Sequence, residues 1–156
     1  MKKIVAISVV LLLAVAAFCL FSREKTEEGE LSCNFRITCA ELLGKSNALP
    51  SEKRELIGDG EIFPAQTVHF SEGESVFDVL KRVAQREKIH MEFSHTPVYD
   101  SNYIEGINNL YEFDCGATSG WIYSVNGEKP NYSSSLYKLS DGDTVEWSYT
   151  TEKTNW

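Results

Sequence analysis

Hydrophobic residues follow two different patterns along the chain, and these patterns separate a leader from a domain. Residues 4–21 are almost entirely apolar, and they follow Lys2 and Lys3. A basic start before a long apolar run is typical of a secretory signal peptide or an N-terminal membrane anchor. The run is about as long as a segment that spans a bilayer, so its length does not separate these alternatives. We therefore predict a bacterial-type signal peptide or anchor helix over residues 1–22.

The segment after the leader predicts a tether and then a domain. Residues 23–30 are mostly charged and contain little that could enter a core. We assign the domain to residues 31–152 and a short tail to residues 153–156. Cys19 lies in a degenerate lipoprotein box, but the bulky Phe18 before it disfavours lipidation. Cleavage, lipidation and retention of the leader stay open as alternatives for an exported protein.

The first half of the domain contains both strand and helix periods. Residues 31–38 and 65–70 predict two strands. The glycine-containing residues 41–60 between them predict a long polar surface segment. Ser75 and Asp78 form a capping-box pattern at the start of a helix. Apolar residues then recur at helical spacing, namely Val76, Phe77, Leu80, Val83 and Ala84.

The C-terminal part of the domain is predicted to be rich in strands. Asn126-Gly127 predicts a two-residue hairpin turn, because both residues tolerate a positive φ. Asp141-Gly142 predicts a second turn, which an alternating strand follows over residues 144–149. One helix among several strands predicts an α+β fold, in which the helix packs across one face of a mixed sheet.

The charge of the chain narrows the classes of partner. The sequence has 15 basic and 23 acidic residues, a net charge of −8, and loss of Lys2 and Lys3 with a cleaved leader would change it to −10. Nucleic acids and anionic lipid surfaces attract basic proteins. We therefore predict no nucleic-acid partner, and contact with a membrane only through the N-terminal segment.

Three cysteines lie outside the leader, in a compartment that would permit disulfides. Cys33 and Cys39 flank a predicted strand, which would hold them about 20 Å apart and so beyond bonding distance. We assign the disulfide to Cys39 and Cys115, with Cys33–Cys115 as the alternative pair. A metal site is not predicted, because the cysteines and histidines lack ligand spacing.

The sequence contains no catalytic motif. The patterns of a nucleophile elbow, a zinc protease, a P-loop and a dinucleotide-binding loop do not occur. Asp141 and Asp143 flank a glycine, but the surrounding frame of a calcium-binding loop is missing. We therefore predict that the protein is not an enzyme and requires no cofactor.

Aromatic and hydroxyl side chains near the C-terminus form the candidate site. Trp121 and Tyr123 share one face of a predicted strand, where they either fill the core or contact a ligand. Residues 131–135 offer hydroxyls and an amide, which suit the polar rim of a binding site. The candidate ligand-binding residues are Trp121, Tyr123, Asn131, Tyr132, Ser133, Ser134 and Ser135.

Three ordered motifs carry a resemblance to a known family. They are GESVFDVLKRV from Gly73, YIEGINNLYEFDCGATSGWIYSVNG from Tyr103 and YKLSDGDTVEWSYT from Tyr137. Together they resemble the DUF4430 domain family, which is similar to the C-terminal β-domain of transcobalamin and intrinsic factor. The resemblance implies a β-grasp-like fold of the soluble-ligand-binding type and a cobalamin-like corrinoid as the ligand. It also implies that Trp121, Tyr123 and the loop of residues 131–135 face that ligand.

The chain departs from the vitamin carriers in one respect. Their β-domain closes over a corrinoid that is held against a large helical domain, which 156 residues cannot contain. A second protein that completes the pocket is therefore expected. The predicted function is an exported, surface-tethered, non-catalytic module that binds a cobalamin-like corrinoid. The alternative is a module that uses the β-grasp scaffold to bind an extracellular protein or a cell-surface polymer.

Overall fold

The computed structural model describes residues 30–152, which form an α+β fold with two sheets. The strands, numbered β1 to β7 in chain order, are Leu31–Thr38, Glu61–Phe70, Met91–Thr96, Ser101–Ile107, Leu110–Tyr111, Gly120–Val125 and Thr144–Thr150. The α-helix, α1, covers Val76–Glu87. Short 3₁₀ helices between β1 and β2 cover Ala40–Gly44, Ser46–Ala48 and Ser51–Ile57. The predicted leader, most of the tether and the tail lie outside the described residues.

The larger sheet has the strand order β2-β1-β7-β6. Its central pair, β1 and β7, is parallel, and the two outer pairs are antiparallel. Alternate residues of β1 and β7 are buried, as expected for strands with one face on a core. The buried face carries Cys33, Phe35, Ile37, Val145, Trp147 and Tyr149.

The smaller sheet has the order β3-β4-β5 and is antiparallel throughout. Asn108 and Asn109 connect β4 to β5, and both have a positive φ, of 53° and 60°. Two such residues form the turn that favours a tight hairpin. The short β5 pairs with Gly106 and Ile107 of β4, and the Glu112 amide that follows it donates to the Glu105 carbonyl at 2.9 Å.

The helix confirms the capping-box prediction. The Ser75 hydroxyl accepts a hydrogen bond from the Asp78 amide, and the Asp78 carboxylate accepts from the Ser75 amide. These reciprocal bonds satisfy two amide donors that a helix start leaves without partners. The apolar face of α1 joins the core of the larger sheet through Val76, Phe77, Val79, Leu80 and Val83.

Two local predictions need correction. Asn126-Gly127 forms the expected turn, with φ values of 55° and 81°, but the turn closes only a single bridge between Val125 and Glu128. It does not form a hairpin, because no strand follows Glu128 until β7 begins at Thr144. The segment of residues 41–60 is not purely a surface excursion, since it buries Leu42, Leu49 and Ile57.

Glu41, in the first 3₁₀ helix, connects that helix by hydrogen bonds to Thr151, the residue after β7. Its carboxylate accepts hydrogen bonds from Lys45 Nζ, at 2.8 Å, and from the Thr151 amide, at 3.0 Å. Partial burial acts to raise the pKa of Glu41, but the hydrogen bonds from Lys45 and Thr151 outweigh it and lower the pKa to about 2.

The predicted Cys39–Cys115 disulfide is not formed, because Cys33, Cys39 and Cys115 are all free thiols. Cys39 is fully buried, and its thiol donates to the Ile57 carbonyl at 3.7 Å. Burial raises the pKa of both Cys33 and Cys39 to about 11. These thiols therefore behave as core residues and stay protonated at neutral pH.

Candidate functional site

A cavity of about 390 Å³ lies between the two sheets, next to the candidate residues. The structure brings five of the seven predicted ligand-binding residues to its wall. The lining residues are Thr96, Tyr99, Ser101, Asn102, Tyr103, Ile104, Trp121, Ile122, Tyr123, Tyr132, Ser133, Ser134 and Trp147. Asn131 is exposed outside the cavity, and Ser135 lies behind its wall.

The aromatic floor of the cavity is formed by Trp121, Tyr123 and Trp147. Tyr123 and Trp147 occupy paired positions on β6 and β7, and their ring centroids lie 5.5 Å apart. Trp121 packs edge-on against Tyr149, with a centroid distance of 5.3 Å. All these rings are nearly buried. The sequence left two roles open for this strand, and these rings both complete the core and line the cavity.

The two tryptophans differ in the partners of their indole nitrogens. Trp121 Nε1 donates to the Leu110 carbonyl at 2.8 Å. Trp147 Nε1 is buried and has no hydrogen-bond acceptor among residues 30–152. A buried donor without an acceptor costs about 1–3 kcal/mol. The two indoles therefore contribute differently to the stability of the floor.

The serine-rich loop lines the cavity with Tyr132, Ser133 and Ser134 and also bonds to neighbouring elements. Ser133 Oγ donates to the Asn102 carbonyl at 2.9 Å, and the Asn102 amide donates to Ser135 Oγ at 3.0 Å. The Ser134 carbonyl accepts from the Phe77 amide at the start of α1, at 3.1 Å. The loop therefore joins β4 to the helix, and two of its hydroxyls are occupied by the protein's own main chain.

Tyr132 is the part of this loop that stays accessible. Its ring is 47% exposed and stacks on Tyr137 at 5.8 Å with a 10° angle between the planes. Its carbonyl accepts from the Tyr123 hydroxyl at 2.9 Å. The main chain of Tyr132 is thus held in place while its side chain covers one side of the cavity mouth.

The hairpin between β3 and β4 supplies residues that sequence reasoning missed. Tyr99, Asn102 and Tyr103 line the cavity, and none of them is among the predicted ligand-binding residues. Val98 and Tyr99 are 84% and 72% exposed at the tip of this hairpin. The sequence contained a signal for this site, because Val98 and Tyr99 place apolar and aromatic groups in a turn, where polar residues are usual.

The lining of the cavity is uncharged. No Asp, Glu, Lys, Arg or His is among its lining residues. Burial, together with a hydrogen bond to Glu112, raises the pKa of Tyr103, and burial raises the pKa of Tyr123, so both phenols stay neutral. Within residues 30–152, no three His, Cys, Asp or Glu side chains converge as a metal site would require. The site thus offers aromatic faces and neutral hydrogen-bonding groups to a ligand.

The helix-forming segments of the described chain are also short. Within residues 30–152, no helix has the length and apolar character needed to cross a membrane.

Two solved structures match the chain, and the stronger match shows its fold. One is haptocorrin in complex with Cbi, with a TM-score of 0.54 and 15% identity over 77% of this chain and 25% of that chain. This chain therefore spans about a quarter of the length of that haptocorrin chain, and the likeness shows a shared fold. The other is a protein of Ruminococcus gnavus ATCC 29149 that is described as a candidate metal-binding protein. Its TM-score is 0.43, with 16% identity over 77% of this chain and 96% of that chain.

Sequence comparison assigns a family. No curated protein sequence matches the chain. The family model described as "Domain of unknown function (DUF4430)" matches residues 73–151, slightly more than half of the chain. The matched region contains α1, the smaller sheet, and the strands β6 and β7 that form the aromatic floor. The chain belongs to the DUF4430 family.

Proposed function

We propose that the protein is an exported, surface-tethered and non-catalytic module whose cavity binds part of a cobalamin-like corrinoid. The observation that carries this proposal is the uncharged cavity between the sheets, floored by two tryptophans and a tyrosine. Its volume of about 390 Å³ lies within the range of small-molecule sites, which are mostly apolar with a few polar groups.

The chemistry of a corrinoid suits this wall. A corrinoid is a broad, flat ring system with neutral amide side chains around its edge. The exposed ring of Tyr132 offers a flat apolar face, and the lining side chains of Thr96 and Asn102 offer neutral hydrogen-bonding groups to the amides. The fold shared with haptocorrin, whose structure contains Cbi, further supports this class of ligand.

The size of the cavity supports the need for a partner. A whole corrinoid is larger than the cavity, so only one edge of the ligand would enter it. The remainder would lie over the exposed rings and aliphatic groups around the mouth, such as Tyr99, Val98 and Leu136. A second protein would then cover the other face of the ligand. The parallel β1–β7 pair with antiparallel neighbours supports a β-grasp-like scaffold for this arrangement.

The test is a titration of the full-length protein with cobinamide and with cyanocobalamin, in which binding is measured by calorimetry and by visible absorbance. We expect saturable binding that Tyr132→Ala weakens at least tenfold, because the variant loses an aromatic contact face but keeps the carbonyl that holds Tyr123. Phe113→Ala is the matched control, since Phe113 is exposed outside the cavity. Absence of heat and of any spectral change at high micromolar ligand would exclude a corrinoid.

A second candidate function is binding to a protein or a cell-surface polymer. The specific observation in its favour is the exposed apolar tip at Val98 and Tyr99, which neither the core nor the cavity floor requires.

A further inference from the structure

The wall of the cavity is built from strand edges as well as side chains. Four consecutive residues of β4, 101–104, and three consecutive residues of β6, 121–123, line it. Successive side chains of a strand point to opposite faces. Consecutive residues can therefore line one cavity only where the main chain itself forms part of the wall.

The edge of β6 that borders the cavity has no strand partner. β6 is the last strand of its sheet, and β7 occupies its other edge. The Asn126 amide donates to Thr144, on the β7 side, whereas Val125 exchanges both of its main-chain hydrogen bonds with Glu128. Because main-chain groups alternate in direction along a strand, the amide and carbonyl of Trp121 and Tyr123 point the same way as those of Val125. These groups face away from β7, on the edge that borders the cavity.

The facing edge of β4 is only partly covered. The amide and carbonyl of Asn102 are occupied by Ser135 and Ser133. On the same side, the Glu105 carbonyl accepts from the Glu112 amide at 2.9 Å, and β5 pairs with Gly106 and Ile107. A register shift against β3 at Glu92–Phe93 interrupts the regular alternation of β4 between these residues. The edge of β6 at Trp121 and Tyr123 has no strand partner within residues 30–152, and an unpaired edge of this kind is a template for pairing with another extended chain.

The charge around this groove selects the occupant. Residues 89–127 contain five acidic side chains and no lysine or arginine, and one of the five, Asp114, is paired with Lys53 at 2.7 Å. Asp100 lies between two lining residues at the mouth, and Glu112 accepts a hydrogen bond from the lining Tyr103 hydroxyl at 2.5 Å. An uncharged groove with an acidic surround is complementary to a segment that is neutral in the middle and basic at its ends.

We propose that an extended peptide segment of a partner protein, with lysine or arginine on both sides of an uncharged centre, adds as a strand to the edge of β6 at Trp121 and Tyr123. Main-chain hydrogen bonds supply the pairing, and the aromatic floor receives one uncharged side chain of the segment. This mode of recognition goes beyond corrinoid binding and does not depend on it.

The probe is an acetylated and amidated peptide of sequence KKVTVKK, titrated into the full-length protein at low ionic strength and followed by tryptophan fluorescence and calorimetry. We expect saturable binding. The same peptide with N-methyl groups on its three central amides keeps its charge but cannot pair with a strand, and it should bind at least tenfold more weakly. The peptide EEVTVEE should bind more weakly still. Equal binding of the parent and N-methylated peptides, or no binding of KKVTVKK at millimolar concentration, would overturn strand addition.

A protein variant tests the charge contribution. Asp100→Asn keeps a residue that tolerates the positive φ of 46° at this position, and it should weaken KKVTVKK about two- to fourfold. Glu72→Gln, an exposed position before α1, is the control and should change nothing. If Asp100→Asn and Glu72→Gln weakened KKVTVKK binding to the same extent, the peptide would respond only to the net charge of the protein and not to Asp100 beside the groove. Binding of the peptide without binding of a corrinoid would reject only the corrinoid proposal. Binding of a corrinoid without binding of the peptide would reject only the addition of a strand to β6.

Discussion

The two tryptophans of the cavity floor allow the most direct test of the structure. Trp121→Phe and Trp147→Phe remove the same atoms from sites that are 6% and 2% exposed. Each indole also has one close aromatic neighbour, at 5.3 Å for Trp121 and 5.5 Å for Trp147. The losses of buried area and of aromatic contact therefore nearly cancel when the two variants are compared.

What remains is the hydrogen bond that only one indole makes. Trp121→Phe removes the 2.8 Å bond to the Leu110 carbonyl, which costs about 1 kcal/mol. Trp147→Phe removes a buried donor that has no acceptor among the described residues, which relieves about 1 kcal/mol or more. We expect Trp121→Phe to be the more destabilising variant by about 2 kcal/mol.

Urea unfolding measures this difference directly. With a slope of about 2 kcal/mol per molar urea, the midpoint of Trp121→Phe should lie about 1 M below that of Trp147→Phe. Equal slopes in the two variants are the control that the unfolded states are comparable. The contrary result is a Trp147→Phe variant whose midpoint equals or lies below that of Trp121→Phe. It would show that Trp147 Nε1 has a hydrogen-bond acceptor in the folded protein.

Three further outcomes are expected from other parts of the fold. Gly106→Ala would place a Cβ 2.7 Å from the Tyr111 ring and should destabilise the protein by about 1–3 kcal/mol, whereas Gly44→Ala, with open space around it, should not. Glu41, with its pKa lowered to about 2 when folded, stabilises the protein above pH 4.5, and this stabilisation is lost as the pH falls toward 2. Glu41→Gln should therefore lose less stability over that range than the parent, and the exposed Glu55→Gln is the control. A reducing agent should leave the thermal midpoint unchanged, because the described cysteines are free; a fall in the midpoint would indicate a disulfide.

Local sequence signals were sufficient for the elements that have strong local causes. The helix was predictable because Ser75 and Asp78 satisfy its first amides and its apolar residues recur on one face. The first strand was predictable because one of its faces is buried, which enforces alternation. In both cases the residues that form the element also contain the signal.

The smaller sheet was not predictable in the same way. Strand β3 is largely exposed on both faces, so its alternation is short: Met91 and Phe93 alternate with Glu92 and Ser94, and the last two residues are polar. The turn Asn108-Asn109 was a usable signal, since both residues adopt a positive φ, but it was not interpreted as a hairpin turn. Without the second sheet there was no opposite wall for the cavity, and Tyr99 and Asn102 could not be assigned to the site. Trp147 was placed on the correct face of its strand but was not included among the candidates.

The serine-rich loop shows why residue type alone did not define the site. Hydroxyls and an amide in a segment without apolar residues suggest ligand contacts, but an open strand edge nearby has the same need for hydrogen-bond partners. Ser133 and Ser135 satisfy Asn102 on β4, and the Ser134 carbonyl satisfies an amide of α1. The loop thereby fixes the spacing between helix, smaller sheet and floor, and so determines the width of the cavity. The groups that this bridging leaves accessible are the ring of Tyr132 and the main-chain edge of β6, and the proposed selectivity for a ligand rests on them.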